Sequence, residues 1–406
     1  MQNEALRADL TAVIGEVAAI YHERDTETRM IVTGILAGQH VLLLGPPGTG
    51  KSALVRELTS RIREGTYWEI LLHKFISPSA IFGPVDLAAL TALEHRQILE
   101  GHATQAHVAF LDEIFKCSAS ALNAMLAFLN ERLYHPESGG APIVCPLISA
   151  VCASNELAED ETTAALYDRL LIRMEVDYLA EPDSFAALLR SAVRAPAGAR
   201  PARTTVELAD LRTAVDVEVP AVDLPAEVVT AVRDLRADLR GREITSSDRR
   251  WVQSVRVLQA AAWLAGRDAV AVEDLAVLAH VLWDTPAHRS TVERVVRGYL
   301  SPDDRELATL ADEVDAVAAE LDQLVAAGDT SRLQEWAVAQ NVRLATVVRR
   351  MASIRDAAAR AGRTTLPYQR SAEHAQTVYA RLLGEALGVS PDRIPSLDAL
   401  IGGGRR

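Results

Sequence analysis

The sequence predicts an α/β core with a parallel sheet, then an all-α segment, then a three-helix C-terminal segment. Three observations carry this. An apolar run, Val41-Leu42-Leu43-Leu44, leads straight into a glycine-rich loop and then a helical pattern. A second apolar run, from His107 to Leu111, ends in the adjacent acids Asp112 and Glu113. From Val206 onward the apolar spacing is helical.

The chain opens with apolar residues at Leu6, Leu10, Val13, Ile14, Val17 and Ile20, which predicts a helix over 5–21. A second helix is expected over 27–37, ended by Gly38. The strand 41–44 then meets Gly45-Pro46-Pro47-Gly48-Thr49-Gly50-Lys51-Ser52, followed by a helix from Ala53 to Ile62. Strand, G-x-x-x-x-G-K-S loop and helix in that order form the P-loop context. Glycines let backbone N–H groups turn inward onto an anion, and the helix N-terminus adds a favourable dipole. Lys51 would reach the β- and γ-phosphates of a nucleotide, and the Ser52 hydroxyl would bind Mg²⁺. The alternative is a glycine-rich turn that binds nothing.

A strand is expected over 67–75, then a loop or short turn over 77–84, a short helix over 86–91, and one edge of a small hairpin at 96–99. In P-loop ATPases the first of two acids after a buried strand holds Mg²⁺ and the second polarises the attacking water. Asp112 and Glu113 fit those roles. A helix is expected over 119–132, a turn over 134–142, and strand over 143–149. The buried run 150–154 ends in Asn155, which either places the lytic water or caps the following turn.

Residues 164–173 read as a helix, putting Arg169 and Arg173 on one face. Either arginine would suit phosphate charge in a neighbouring subunit, and either would equally serve as an ordinary ion pair. The Ala-, Pro-, Gly- and Arg-rich run 195–203 reads as a linker. It divides the chain into 1–195, 204–300 and 301–406. In the middle segment helices are expected over 228–239, 248–265 and 272–283. Arg249 and Arg250 fall in the first turn of the second, where cations oppose the helix dipole. That placement points either to an anionic partner such as ATP phosphate or to a nearby acid. In the last segment Leu307, Leu310, Val314, Val317, Leu321 and Leu324 alternate at three and four. Helices over 333–361 and 368–387 complete a three-helix set, with breaks at Gly328-Asp329 and Gly362 and a disordered tail at 402–406.

The chain has 406 residues and a net charge of −13, which disfavours a nucleic-acid backbone as main partner. Its three cysteines, Cys117, Cys145 and Cys152, have no metal-like spacing and read as reduced thiols of a cytoplasmic protein. No apolar run is long enough to span a membrane.

Several stretches together resemble the MoxR group of AAA+ ATPases, most closely its RavA-like branch. They are Gly45 to Ser52, Ile81-Phe82-Gly83-Pro84, Phe110 to Ile114, Leu126 to Arg132, Ala153 to Leu157, Ala165 to Arg173, Ser247 to Trp251 and Val257 to Ala260. The resemblance implies an AAA+ αβα core with a helix-two insertion near 82–101, a pre-sensor hairpin near 133–145 and an all-α lid. It matches Asp112 and Glu113 to Walker B, Asn155 to sensor 1, Arg169 to the arginine finger and Arg249, reaching from the lid, to sensor 2. The nucleotide would lie on residues 45–53, with Ser52 and Asp112 holding Mg²⁺. The family forms hexameric rings, remodels proteins in a chaperone-like manner, and often works with a partner bearing a von Willebrand factor A domain. This chain lacks the strand-rich module inserted in RavA. Two other readings share the same pocket: a nucleotide-gated docking module with little turnover, and an MCM-like DNA motor, against which the acidic charge speaks.

Overall fold

The computed structural model describes residues 2–91, 96–136, 141–157, 161–193, 203–300, 302–327, 330–360 and 366–390. They fall into two compact units, Met1–Val292 and Glu293–Arg406.

The first unit is built on five strands, β1 (Val41–Leu44), β2 (Tyr67–Leu71), β3 (Val108–Asp112), β4 (Ser149–Ser154) and β5 (Ile172–Glu175). They lie in the order β2-β3-β4-β1-β5, and every pairing is parallel. A parallel sheet is covered on both faces, so its inner strands are continuous apolar runs rather than alternating ones. Accordingly all of β1 and β4 is buried. The edge strand β2 is half exposed. It stops at Leu71, short of the expected 75, because its partner β3 ends opposite at Asp112.

The N-terminal helices run over Gln2–Ile20 and Asp25–Leu36, and the P-loop helix over Lys51–Thr59. Beyond β2, Pro78–Phe82 forms a single helical turn, where the sequence suggested loop or turn, capped by the Ser77 hydroxyl. It is anchored by Phe82, which stacks on Tyr134 at 4.4 Å and meets Phe128 edge-on at 5.4 Å. Helix Leu87–Thr91 follows, its first amides held by Asp86. At 96–99 the expected hairpin edge is reduced to one bridge between Val85 and Gln97.

After helix Ala119–Glu131 a small antiparallel hairpin joins Leu133–Tyr134 to Ile143–Val144. Strand continues over only two of the residues expected at 143–149 before β4 begins. The expected helix over 164–173 is also corrected. The helix is Glu161–Arg169, and Ile172–Glu175 leaves it to pair with β1. Leu170, Leu171 and Ile172 are wholly buried, so tertiary burial outweighs local helical spacing there.

In the lid the main helices are Ala226–Gly241, Asp248–Leu264 and Pro286–Leu300. The stretch expected as a helix over 272–283 is a 3₁₀ run, Val272–His280. A two-residue strand, Val206–Glu207, was not foreseen; it pairs with Ile62–Arg63 at the end of the P-loop helix. Buried Arg61 secures that junction, bonding Glu57 at 2.8 Å, Glu16 at 2.5 Å and the Thr204 carbonyl at 3.2 Å. Most of the expected linker, 194–202, lies outside the described residues.

The second unit contains helices Pro302–Ala327, Thr330–Arg360 and Leu366–Arg381, the last running into a π turn at Leu382–Ala386. Its core includes Leu307, Val314, Val317 and Leu321, with Leu310 and Leu324 packed at the margin, as the alternating seam predicts. The expected breaks at 328–329 and 362 and the tail at 402–406 lie outside the described residues. No helix among the described residues is long and apolar enough to cross a membrane.

Candidate functional site

The P-loop leaves β1 at Gly45, whose N–H donates to the Ser154 carbonyl at 3.0 Å. A Cβ on Gly45 would sit 1.9 Å from the Val176 carbonyl oxygen, so no other residue fits unless the backbone moves. Gly50 caps the P-loop helix in the left-handed region, φ 82°, and no side chain caps that end. The first amides of the helix are therefore left to an anion or solvent. Lys51 folds back inside the loop, donating to the Gly45 carbonyl at 2.7 Å, the Pro46 carbonyl at 2.8 Å and Thr49 Oγ1 at 3.4 Å. Partial burial lowers its pKa, opposed by the charges of Asp112 and Glu113. Ser52 and Ala53 form the first turn with Lys51, and Tyr21 donates to the Ala53 carbonyl at 3.0 Å. Pro47 accepts from the Tyr178 hydroxyl at 3.4 Å. Gly48 completes the turn in the left-handed region.

Asp112 ends β3, two strands across from β1, a backbone separation of about 10 Å. Burial raises its carboxyl pKa, and the neighbouring Glu113 charge adds to that while Lys51 opposes it. Asp112 Oδ1 accepts the Glu113 N–H at 3.1 Å. Glu113 itself takes a left-handed backbone, φ 54°, uncommon outside glycine, which re-aims its side chain off the strand axis. Lys116, one turn on, lies 3.3 Å from Glu113 Oε2. Sequence reading missed this lysine; the signal was its i,i+3 spacing from Glu113.

Asn155 is the first residue past β4, and Ser154 is in register with Leu44 of β1. The turn after β4 is closed by Ser154, whose hydroxyl donates to the Glu156 carbonyl at 2.8 Å and accepts its N–H at 3.1 Å. Asn155 is exposed beside the start of the P-loop. Lys51, Asp112, Glu113 and Asn155 thus converge at the C-terminal edge of the sheet. The hard oxygens of Ser52 and Asp112 are of the kind that could hold Mg²⁺. Among the described residues no three His, Cys, Asp or Glu side chains form a metal cage of their own.

The arginines do not join them. Arg169 ends its helix three residues before β5 starts, at the N-terminal edge. Arg249 donates to Asn130 Oδ1 at 3.0 Å. Asn130 lies at the same edge, because the next-but-one residue, Arg132, binds the carbonyls of Gly38, Leu147 and Ile148 just before β1 and β4. Burial lowers the Arg169 pKa, and the Arg249 charge lowers it further, so the two cations are neighbours. A six-residue strand such as β4 is about 20 Å long, which separates this pair from the P-loop edge. Arg173 is buried, bonded to the Trp283 carbonyl at 2.6 Å and Asp284 at 2.7 Å, with its guanidinium 3.7 Å from the Tyr167 ring centre. Arg250 is buried against Asp168 at 3.3 Å and the Val281 carbonyl at 2.8 Å. Both are interior braces, so the acid partner considered for the first lid turn holds for Arg250.

Residues 8–215 match the family model described as the MoxR domain in the MoxR-vWA-beta-propeller ternary systems. The chain belongs to the MoxR group of AAA+ ATPases. Residues 227–296 match an AAA lid domain. Two uncharacterized proteins of Methanocaldococcus jannaschii are similar to it. One is 34% identical over 66% of this chain and 68% of its own length, the other 32% over 67% and 70%. The chaperone MoxR1 of Mycobacterium tuberculosis is 29% identical over 46% of this chain and 49% of its own. A crystal structure of a Cytophaga hutchinsonii protein shares the fold, with a TM-score of 0.60 at 18% identity, covering 73% of this chain and 96% of that one. The family model names the ternary-system MoxR domain, whereas the motifs suggested the RavA-like branch.

Proposed function

We propose that this MoxR protein is an Mg²⁺-dependent ATPase that works as a ring of like subunits, a hexamer by family resemblance, and remodels partner proteins in the cytoplasm. The observation that carries the reading is the division of the charged residues between two opposite edges of one sheet. Lys51, Ser52, Asp112, Glu113 and Asn155 stand at one edge, Arg169 and Arg249 at the other. A chain built this way completes its pocket only when a second copy presents its N-terminal edge.

In that pocket the loop amides and Lys51 hold the phosphates. Ser52 and Asp112 would hold Mg²⁺, which would supply charge neutralisation. Glu113 accepts a hydrogen bond from the attacking water, and Asn155 orients it. Arg169 and Arg249 of the neighbour meet the charge that develops on the transferred phosphoryl group. The division into core (1–195), lid (204–300) and C-terminal helices (301–406) belongs to this proposal. So do partner proteins carrying von Willebrand factor A and β-propeller domains, the systems that the matched family description names.

The test is turnover per subunit against protein concentration. It should rise steeply as subunits associate, because an arginine supplied in trans contributes about a thousandfold or more. Full specific activity in a dilution where sedimentation shows only monomer would overturn the shared-pocket reading.

A further inference from the structure

Of the chain's 42 basic residues only Lys51, Lys74 and Lys116 are lysines. Lys51 belongs to the P-loop; Lys116 sits against the Walker B acid. Residues 114–116 make one 3₁₀ turn, closed by the Lys116 N–H on the Glu113 carbonyl at 2.9 Å. That turn returns the ammonium to 3.3 Å from Glu113 Oε2 and 3.6 Å from Glu156 Oε1. Glu113 Oε2 is shut off from solvent and has no well-aligned hydrogen-bond donor, so the Lys116 charge is what it faces. The Glu113 side chain as a whole still keeps 21% of its surface. One carboxylate oxygen is therefore committed inward while the group stays reachable from the site. Glu156, the second acid on Lys116, follows Asn155 directly and has its N–H fixed by Ser154.

We propose that Lys116 is a positioning residue for Glu113. Its ammonium pins Oε2 so that Oε1 meets the lytic water. Through Glu156 it also ties the Glu113 turn to the strand end that carries Asn155. The two groups that contact the water then move as one. A single point charge on a flexible stem suits this, since it holds two carboxylates without demanding a common plane.

The inference rests on the ATPase reading of Glu113, and the experiment separates the two. K116M, K116R, E113Q and the double variant E113Q/K116M are compared in the full chain by steady-state turnover, affinity for a fluorescent ATP analogue, and thermal melting. K116M should keep KM and analogue affinity within about threefold while kcat falls about tenfold or more. K116R, which keeps the charge, should fall between K116M and the unaltered protein. In the E113Q background K116M should lower turnover no further, because Lys116 acts through the group already lost. A K116M kcat within about twofold of the unaltered protein, beside an E113Q whose turnover is reduced about a hundredfold but still measurable, overturns the proposal. So does a further loss in the double variant. Full turnover by E113Q would instead overturn the role of Glu113 itself. Should K116M fail to fold, K116Q carries the same thresholds.

Discussion

Arg249 donates to Asn130 at 3.0 Å, a bond that holds this exposed lid cation at the edge of the sheet opposite Lys51. The sequence places Arg249 near a capped helix start and suggests either phosphate or a nearby acid as its partner. On the proposed shared-pocket reading, the bond to Asn130 would assign that phosphate to a neighbouring copy, reached together with Arg169. Mixing experiments resolve this. R249A and E113Q, each inactive alone, should regain about one quarter of full turnover when mixed equally, since one interface in four pairs an intact pocket with an intact arginine edge. Mixing R249A with R169A should regain nothing, because one neighbour must supply both. Recovery in that second mixture would show that the two arginines serve different pockets.

Arg169 and Arg173 look interchangeable in sequence, four residues apart in A-L-Y-D-R-L-L-I-R, yet their surroundings differ. Arg173 is almost wholly buried and holds the Trp283 and Leu170 carbonyls and Asp284. R173A should destabilise the protein by about 2–4 kcal/mol, as buried acceptors lose a charged donor. R169A should cost about 1 kcal/mol or less while removing turnover. Urea unfolding of both variants checks this; equal destabilisation would remove the distinction.

The nucleotide edge was legible in sequence because it is local: strand, loop, helix and a strand ending in acids are each written in consecutive residues. Helix positions in the C-terminal unit were legible for the same reason, through the three-and-four spacing of Leu307 to Leu324. What was not legible depended on distant partners. Ile172 and Arg173 read as the end of a helix until β1 is there to pair with them, and Val206–Glu207 is strand only because Ile62–Arg63 lies alongside. Asn130 lies in the family-like stretch Leu126–Arg132, but the sequence gives it no role, and its contact appears only once the lid brings Arg249 against it. Lys116 lies two residues past the Phe110–Ile114 motif, and its contact with Glu113 needs the left-handed backbone at Glu113, which no apolar pattern announces.

His40, just ahead of β1, ties the sheet to the helix that carries Asn130. Its Nδ1 accepts the Ala150 N–H at 2.9 Å, so in the neutral ring Nε2 carries the proton and donates to the Leu129 carbonyl at 2.7 Å. Complete burial, with the Arg132 guanidinium beside it, pulls its pKa from the ordinary 6.5 down to about 3. Between those values the unfolded chain takes up a proton that the folded chain refuses. Stability is therefore lost as pH falls from 6.5 toward 3, at up to about 1.4 kcal/mol per pH unit. H40Q offers one acceptor and one donor without titrating, so its urea midpoint should fall less over that window. A wild-type midpoint as flat as that of H40Q would refute the burial argument.

At Gly45 the P-loop passes close beside the Val176 carbonyl after β5. The Val176 N–H itself donates to the Leu44 carbonyl at 2.7 Å, which locks the two strand ends together. An added methyl at residue 45 would lie 1.9 Å from the Val176 oxygen, far inside contact distance, and the obstacle is backbone that has no rotamer to yield. G45A must therefore push β5 away or tilt the loop, and the loop is the less constrained side. Tilting it carries off the Gly45 and Pro46 carbonyls that now hold Lys51. G45A should still fold, with a stability loss of about 1–3 kcal/mol. Its nucleotide affinity should fall about tenfold or more, as the amide cradle loses register with the lysine. Calorimetric titration with ATP and Mg²⁺, run beside a melting curve, separates the two effects. Unchanged affinity in a destabilised G45A would mean that β5 had yielded and that the loop geometry is set elsewhere.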